Sequence, residues 1–240
     1  MGSAVTIPIH ETRRIMMGFI PYVIASVVHV GARFANNEAL AAPTKLLLLP
    51  LLIVAVLVSL RSLGGDFSER YLASKGAWTL LLLGLFFSWL GDGAGTFFPF
   101  APTVPMMLLC FGLAHLCYMR LFWKHLTVRA LSWWALLFAG WWVVLLIIMW
   151  PRAGGLAVAV ALYGLVLGGT AVLSTRCHAL VLFGGLFFLS SDTILAFRLF
   201  ALELMPDWTS GMVMLTYTIG QGLITAGAIL TLHQIQARRL

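Results

Sequence analysis

The sequence predicts an all-α, polytopic membrane protein, a bundle of eight transmembrane helices with both termini in the cytoplasm. Three observations predict this fold. Hydrophobic residues make up 61% of the chain and charged residues only 10%, with a mean hydropathy of +1.00, whereas soluble domains contain about 25% charged residues. The hydrophobic residues form continuous runs rather than the short alternating segments of a membrane barrel. The basic residues are distributed unevenly between the connections.

Each apolar run is close to the ~20 residues that a helix needs to cross ~30 Å of hydrocarbon. The first run follows Arg13 and Arg14 and has no clear small-residue cleavage site, so we expect it to stay as a helix rather than be removed as a signal peptide. Most prolines lie near predicted helix ends or in early turns, where a missing N–H costs least. The helices are predicted near residues 16–34, 44–60, 77–98, 103–122, 130–150, 154–174, 178–200 and 209–233.

The connections between these runs are short. Only residues 61–76, which contain Gly64, Gly65 and several charges, could hold structure outside the bilayer. We therefore predict one domain over residues 1–240. The sequence Gly-Leu-Phe-Phe precedes both Asp92 and Asp192, which indicates either a parallel duplication of the third and seventh helices or a chance match of short apolar words.

Basic residues give the predicted orientation. In an eight-helix layout, eleven lie on the side of the N-terminus and four on the other side. The positive-inside rule then places both termini in the cytoplasm, as in a bacterial inner membrane or its equivalent. The net charge of +7 belongs to loops near anionic lipids, and without a dense basic run no nucleic-acid partner is expected. The larger group is Arg13, Arg14, Arg61, Arg70, Lys75, Arg120, Lys124, Arg129, Arg176, Arg238 and Arg239, and the smaller is Arg33, Lys45, Arg152 and Arg198.

Asp92 and Asp192 lie inside apolar runs and are the most informative residues of the chain. A carboxylate at membrane depth costs roughly 2.5 to 3.5 kcal/mol on insertion scales, so intramembrane acids usually serve a function. At ~1.5 Å per residue, both aspartates fall roughly 8 to 10 Å below the outer boundary. Other polar groups near them in depth come from neighbouring helices. These are Lys45, His115, Tyr217 and Gln221.

Residues three or four positions apart share one face of a helix. Such pairs are Ser88 with Asp92, His115 with Tyr118, and Tyr217 with Gln221. They could line one polar slot or simply join helices by hydrogen bonds. Lys45 could snorkel to the interface, hold a phosphate or pair with an aspartate. The histidines and cysteines show no metal-ligand spacing, so no metal or other cofactor is predicted.

Several motifs, in order along the chain, resemble the YhhN-like lysoplasmalogenases. One departure is Leu46, where the family pattern has proline. Because the resemblance extends from the second helix to the eighth, it is more specific than any single motif. The motifs are Thr44-Lys45 with the leucines up to Pro50, Ser88 to Asp92, Phe111 to Tyr118 including His115, Ser191-Asp192, and Tyr217 with Gln221.

The resemblance implies an integral-membrane hydrolase that cleaves the vinyl ether of lysoplasmalogens to a fatty aldehyde and glycerophosphoethanolamine or glycerophosphocholine. This chemistry needs one carboxyl group that protonates the outer alkene carbon, and one carboxylate that stabilises the oxocarbenium ion and activates water. We assign these roles to Asp92 and Asp192 without choosing between them. The expected partners are the lysophospholipid substrate and membrane lipids. The expected substrate-binding residues are Lys45, Ser88, His115, Tyr118, Ser191, Tyr217 and Gln221.

Two other functions remain open from the residues alone. A transporter or channel could use the buried acids to carry protons or cations, although both acids lie toward one side of the membrane. A non-catalytic lipid-binding protein would use the aspartates only to hold helices together. The sequence gives no oligomeric state.

Overall fold

The computed structural model describes residues 9–62 and 67–237, with side chains described for residues 13–61 and 74–235. Every regular element within these ranges is a helix, which confirms the all-α prediction. The elements are α1 (Ile9–Phe34), α2 (Glu38–Ser62), α3 (Phe67–Asp92), a short α4 (Ala94–Phe97), α5 (Thr103–Leu121), α6 (Leu136–Met149), α7 (Ala157–Ser174), α8 (Ala179–Phe200) and α9 (Thr209–Ala237).

Six of the described helical segments are long and apolar enough to cross a membrane. The segment Trp133–Met149 is apolar but shorter. Large hydrophobic side chains are exposed over much of the outer surface, as expected where a bundle meets lipid rather than water. The chain is therefore a multi-pass membrane protein. The full count of eight spans and the cytoplasmic termini stay predictions. The six segments are Arg13–Phe34, Glu38–Arg61, Thr103–Leu126, Gly154–Ser174, Ala179–Phe200 and Thr209–Ile235.

The third helix differs from its predicted bounds at both ends. The connection over residues 61–76, which was predicted to be able to hold structure outside the bilayer, is helical in its second half: α3 already begins at Phe67 and kinks at Ser74 (φ −128°, ψ 16°). At the other end α3 stops at Asp92 rather than near residue 98. Gly93 leaves helical geometry there (φ −97°, ψ 17°), and glycine is among the weakest helix formers. Asp92 therefore occupies the last position of α3.

The turn between α1 and α2 has a defined geometry. Asn36 adopts a left-handed conformation (φ 51°), which asparagine tolerates better than most residues. The Asn37 side-chain oxygen accepts a hydrogen bond from the Leu40 backbone N–H at 3.1 Å and so caps α2. This turn fixes the relative positions of Arg33, at the end of α1, and Glu38, at the start of α2.

Helices α8 and α9 approach closely through two glycines. A Cβ atom at Gly184 would lie 2.7 Å from the Ile224 backbone nitrogen, and one at Gly220 would lie 2.9 Å from the Phe188 nitrogen. Small residues let helix backbones pack directly in membrane bundles. This contact holds Asp192 of α8 and Tyr217 of α9 at one end of the bundle, each about two turns from the α8–α9 connection.

Candidate active site

Asp92 and Asp192 line the same cavity, whose volume is about 210 Å³. It lies at the end of the bundle where α1 meets α2 and α8 meets α9. Of the residues predicted to bind substrate, Lys45, Ser191 and Tyr217 line it. The rest of the lining comprises a polar and charged group and an apolar wall. The polar and charged group is His29, Arg33, Glu38, Arg198 and Ser210, and the apolar wall is Ala41, Ala42, Met107, Phe111, Leu195, Val213 and Met214.

Asp92 is held by a cation and a hydroxyl group. The side chain is 4% exposed, and its Oδ1 lies 3.6 Å from Nζ of Lys45. Tyr217 donates its phenolic hydrogen to Oδ2 at 2.7 Å. An ammonium group and a hydroxyl donor both favour a charged carboxylate, whereas burial of the side chain opposes the charge. Lys45 is 36% exposed at its side chain, so the pair spans the cavity from its base toward its mouth.

The helix that carries Lys45 is regular despite the local departure from the family pattern at Leu46. The Trp89 indole N–H donates to the Leu46 carbonyl at 3.0 Å. This bond ties α2 to α3 beside the Lys45–Asp92 pair, because Trp89 lies one turn before Asp92.

A buried hydrogen-bonded chain stands behind Asp92. Gln221 donates from Nε2 to Ser88 Oγ at 3.0 Å and to the Tyr217 hydroxyl at 3.5 Å. Tyr118 donates to Gln221 Oε1 at 2.8 Å. Ser88, Tyr118 and Gln221 thus join α3, α5 and α9 and orient Tyr217, but they are not among the cavity-lining residues. Their predicted contact with substrate stays a prediction, and the geometry favours a positioning role.

Asp192 has different partners from Asp92. It is 7% exposed, and its Oδ2 accepts a hydrogen bond from the Tyr163 hydroxyl. His115 Nε2 lies 3.6 Å from the same oxygen and 3.4 Å from the Tyr163 hydroxyl. On the other side of the ring, Nδ1 lies 3.1 Å from Thr170 Oγ1. The Thr170 hydroxyl donates to the Val166 carbonyl at 2.8 Å.

These contacts constrain the position of protons around Asp192. Thr170 has one hydroxyl hydrogen, which the Val166 carbonyl accepts, so Nδ1 of His115 must be a donor to Thr170. Nε2 then faces an oxygen of Asp192 and the oxygen of Tyr163, whose own hydrogen is donated to Asp192. A bare Nε2 lone pair facing a carboxylate would be repulsive. A proton carried by either His115 or Asp192 would remove this repulsion, and at 3.6 Å the two groups are in contact without forming a hydrogen bond.

Two arginines form the mouth of the cavity. Arg33 pairs through Nη1 with Glu38 Oε1 at 2.6 Å and donates from Nε to Ser210 Oγ at 3.0 Å. Arg198 donates from Nη1 to Thr209 Oγ1 at 2.7 Å and to the Pro206 carbonyl at 3.4 Å, both neutral oxygens. These bonds fix both guanidinium groups at the ends of α1, α8 and α9.

Sequence reasoning missed Tyr163, Thr170, Arg33 and Glu38 as site residues. Tyr163 carried a usable signal, because a tyrosine inside an apolar helix needs a partner for its hydroxyl. Ser191 was expected at the site and lines the cavity, but its hydroxyl donates to the Val213 carbonyl at 3.0 Å. Within the ranges whose side chains are described, no three His, Cys, Asp or Glu residues form a group that could hold a metal ion.

The fold and the site together define a class: a helical, multi-pass membrane protein with two buried carboxyl groups in one cavity. The model of the YhhN family matches residues 40–228. This range covers most of the chain, and the chain belongs to the YhhN family. It includes Lys45, Asp92, Tyr163 and Asp192 but not Arg33. No curated protein and no solved structure showed significant similarity to the chain.

Proposed function

We propose that this protein is a lysoplasmalogenase-type hydrolase. It cleaves the vinyl ether bond of lysoplasmalogens to a fatty aldehyde and glycerophosphoethanolamine or glycerophosphocholine. The YhhN family is known for hydrolase activity. The observation that carries the proposal is the presence of two buried carboxyl groups with different partners in one cavity. Hydrolysis through an oxocarbenium ion uses two carboxyl groups in distinct roles.

In the proposed reaction, the Asp192–His115 pair acts as the general acid. In its protonated form the pair transfers one proton to the outer alkene carbon, and the electrons of the double bond form the new C–H bond. The ether oxygen then shares its lone pair with the inner carbon, which gives an oxocarbenium ion. Tyr163 stabilises the resulting charge on Asp192 by its hydrogen bond. A general acid positioned in this way typically contributes about 10²- to 10⁴-fold to the rate.

In the proposed reaction, Asp92 acts as the charged carboxylate. Its charge, maintained by Lys45 and Tyr217, stabilises the oxocarbenium ion and accepts a proton from the water that attacks the inner carbon. The product is a hemiacetal. Its hydroxyl proton leaves and the glycerol oxygen takes up a proton as the C–O bond breaks, so that one water is consumed and an aldehyde and an alcohol are released.

The mouth of the cavity suits the phosphate group of a lysophospholipid. Arg198 bonds neutral oxygens, so its positive charge is not offset by these partners. Arg33 shares the same mouth and pairs with Glu38. Guanidinium groups bind phosphate through several N–H donors at once. We therefore infer that Arg198 and Arg33 hold the phosphate, while Lys45 serves mainly to keep Asp92 charged.

The test is aldehyde release from purified protein in lipid nanodiscs supplied with lysoplasmalogen. Wild type should release aldehyde, and Asp92→Asn and Asp192→Asn should each lower kcat by about 10²- to 10⁴-fold. Asp207→Asn is the matched control, because Asp207 is exposed in the α8–α9 connection and does not line the cavity. Well-folded wild type that releases no aldehyde would exclude the proposed reaction.

A further inference from the structure

A second pocket adjoins the cavity at Asp192. It lies between α5, α6, α7 and α8, and we name it the chain pocket. Met107, Phe111, Asp192 and Leu195 line both spaces, so the two adjoin at these side chains. Beyond this junction, Tyr163 is the only polar side chain among those that line the chain pocket. The other lining residues include Leu108, Leu145, Val160, Leu167, Leu199 and Phe200.

One of the two spaces is lined by charged side chains and the other by apolar ones, which corresponds to the polar head and the hydrocarbon chain of a lysolipid. The cavity has an ionic mouth that contains Arg33, Glu38 and Arg198, whereas the chain pocket is hydrocarbon in character. Asp192 is the one ionisable residue common to both. In a lysoplasmalogen, the vinyl ether is likewise the point at which the polar head joins the hydrocarbon chain.

We propose that the chain pocket binds the hydrocarbon chain of the substrate and thereby holds the alkene against Asp192. This inference rests on the proposed function, because it assigns a second subsite to the same reaction. The chain pocket is narrow, with a free volume of about 30 Å³. This is about the volume that one water molecule occupies in the liquid, so a single unbranched chain enters only as Met107 and the surrounding leucines shift. Methionine at the junction is suited to this adjustment, because its side chain is flexible.

The chain pocket also reaches the surface of the bundle. Leu145 and Val160 are buried, whereas Leu199 is 38% exposed. A chain that lies in the pocket can thus continue past Leu199 along the outside of the helices, where the bilayer would surround it. Because the chain comes from bilayer hydrocarbon, which is as apolar as leucine, the pocket gains little from hydrophobic transfer and positions the vinyl ether by the shape of its walls.

Two larger apolar grooves are poorer candidates for the chain. One, of about 810 Å³, lies between α6 and α7 and includes Trp133 and Leu165. The other, of about 600 Å³, lies between α1 and α9 and includes Phe19 and Leu223. Neither is lined by an acidic or basic side chain. A lipid bound in either groove would not bring its ether bond to Asp192.

Substitution at Val160 tests the chain pocket through chain-length preference. Val160→Phe fills the pocket, and we expect the ratio of kcat/KM for long-chain over short-chain lysoplasmalogen to fall about tenfold, because the phenyl ring excludes the chain from this space. Val160→Ala enlarges the pocket and should instead improve the use of branched chains. The control is Val158→Phe, because Val158 lies on the same helix but is 61% exposed. Unchanged preference in both Val160 variants would overturn the proposal.

A binding experiment tests the chain pocket independently of the proposed reaction. The probe is an alkyl lysophosphatidylcholine, which has no vinyl ether, with a diazirine in the first third of its chain. After irradiation of the wild-type protein, we expect labels on α6, α7 or α8 at the chain pocket. Labels confined to the two larger grooves would refute the chain pocket even if aldehyde release is confirmed. Labels in the pocket of a protein that releases no aldehyde would refute only the reaction.

Discussion

Replacement of Tyr163 by phenylalanine removes one oxygen and leaves the ring in place. That oxygen donates a hydrogen bond to Asp192 and lies 3.4 Å from His115 Nε2. A hydrogen bond to a charged group contributes about 1.5–3 kcal/mol. If the bond to Asp192 strengthens as this residue gives up its proton, then Tyr163→Phe should lower kcat by roughly 10- to 150-fold.

Tyr22→Phe is the matched control for this prediction. The Tyr22 hydroxyl is also buried and donates to the Thr218 carbonyl at 2.6 Å, but Tyr22 does not line the cavity. It should lose stability, by about 1 kcal/mol, and keep kcat. The measurements are aldehyde release over a range of pH and thermal unfolding of both variants in the same detergent.

A merely structural role for Tyr163 predicts a different result from a positioning role. In the structural case, Tyr163→Phe and Tyr22→Phe would both lower the unfolding midpoint and neither would change kcat or its pH profile. In the positioning case, only Tyr163→Phe changes the pH profile, because it removes a hydrogen bond to Asp192, the proposed proton donor. Full activity with an unchanged pH profile in well-folded Tyr163→Phe would refute the reasoning.

Three further predictions follow from contacts around the cavity. Lys45→Met leaves the Asp92 carboxylate buried without its cation, so kcat for aldehyde release should fall about 10²-fold or more, and Lys45→Arg should restore part of it. Arg198→Gln should raise KM about tenfold by weakening phosphate binding, whereas Arg152→Gln, outside the cavity, should leave KM unchanged in the same steady-state assay. Gly184→Val would force a side chain against the α9 backbone, 2.7 Å from the Ile224 nitrogen, and should lower the thermal unfolding midpoint more than Gly112→Val, where a Cβ has open space.

The residues at the base of the cavity could be predicted from the sequence because they are charged residues within apolar runs. Asp92, Asp192 and Lys45 are charged groups in hydrophobic runs, and a helix rise of ~1.5 Å per residue was enough to place the two aspartates at a common depth. The structure brings all three to one cavity. Depth alone does not fix rotation about the helix axis, which is why Ser88 and Gln221 were expected to face substrate but bond to each other.

Tyr163 and two residues of the cavity mouth required tertiary structure. Arg33 and Glu38 lie at the ends of two helices, where charged residues are ordinary and carry no pattern of their own. Tyr163 lies alone in an apolar run, with no polar neighbour at helical spacing to mark it. The start of α3 was missed for a related reason: residues 67–76 are rich in polar and charged groups, and hydropathy assigns such a segment to a loop although it folds as a helix.

The central claim is that carbon protonation by the Asp192–His115 pair starts vinyl ether cleavage. Aldehyde released in deuterium oxide and trapped at once as a stable derivative tests it most directly by mass spectrometry. We expect wild type to release aldehyde with one solvent-derived deuterium on the carbon next to the carbonyl group, and Asp192→Asn to release almost no aldehyde. Aldehyde without that deuterium, or full release by Asp192→Asn, would contradict it.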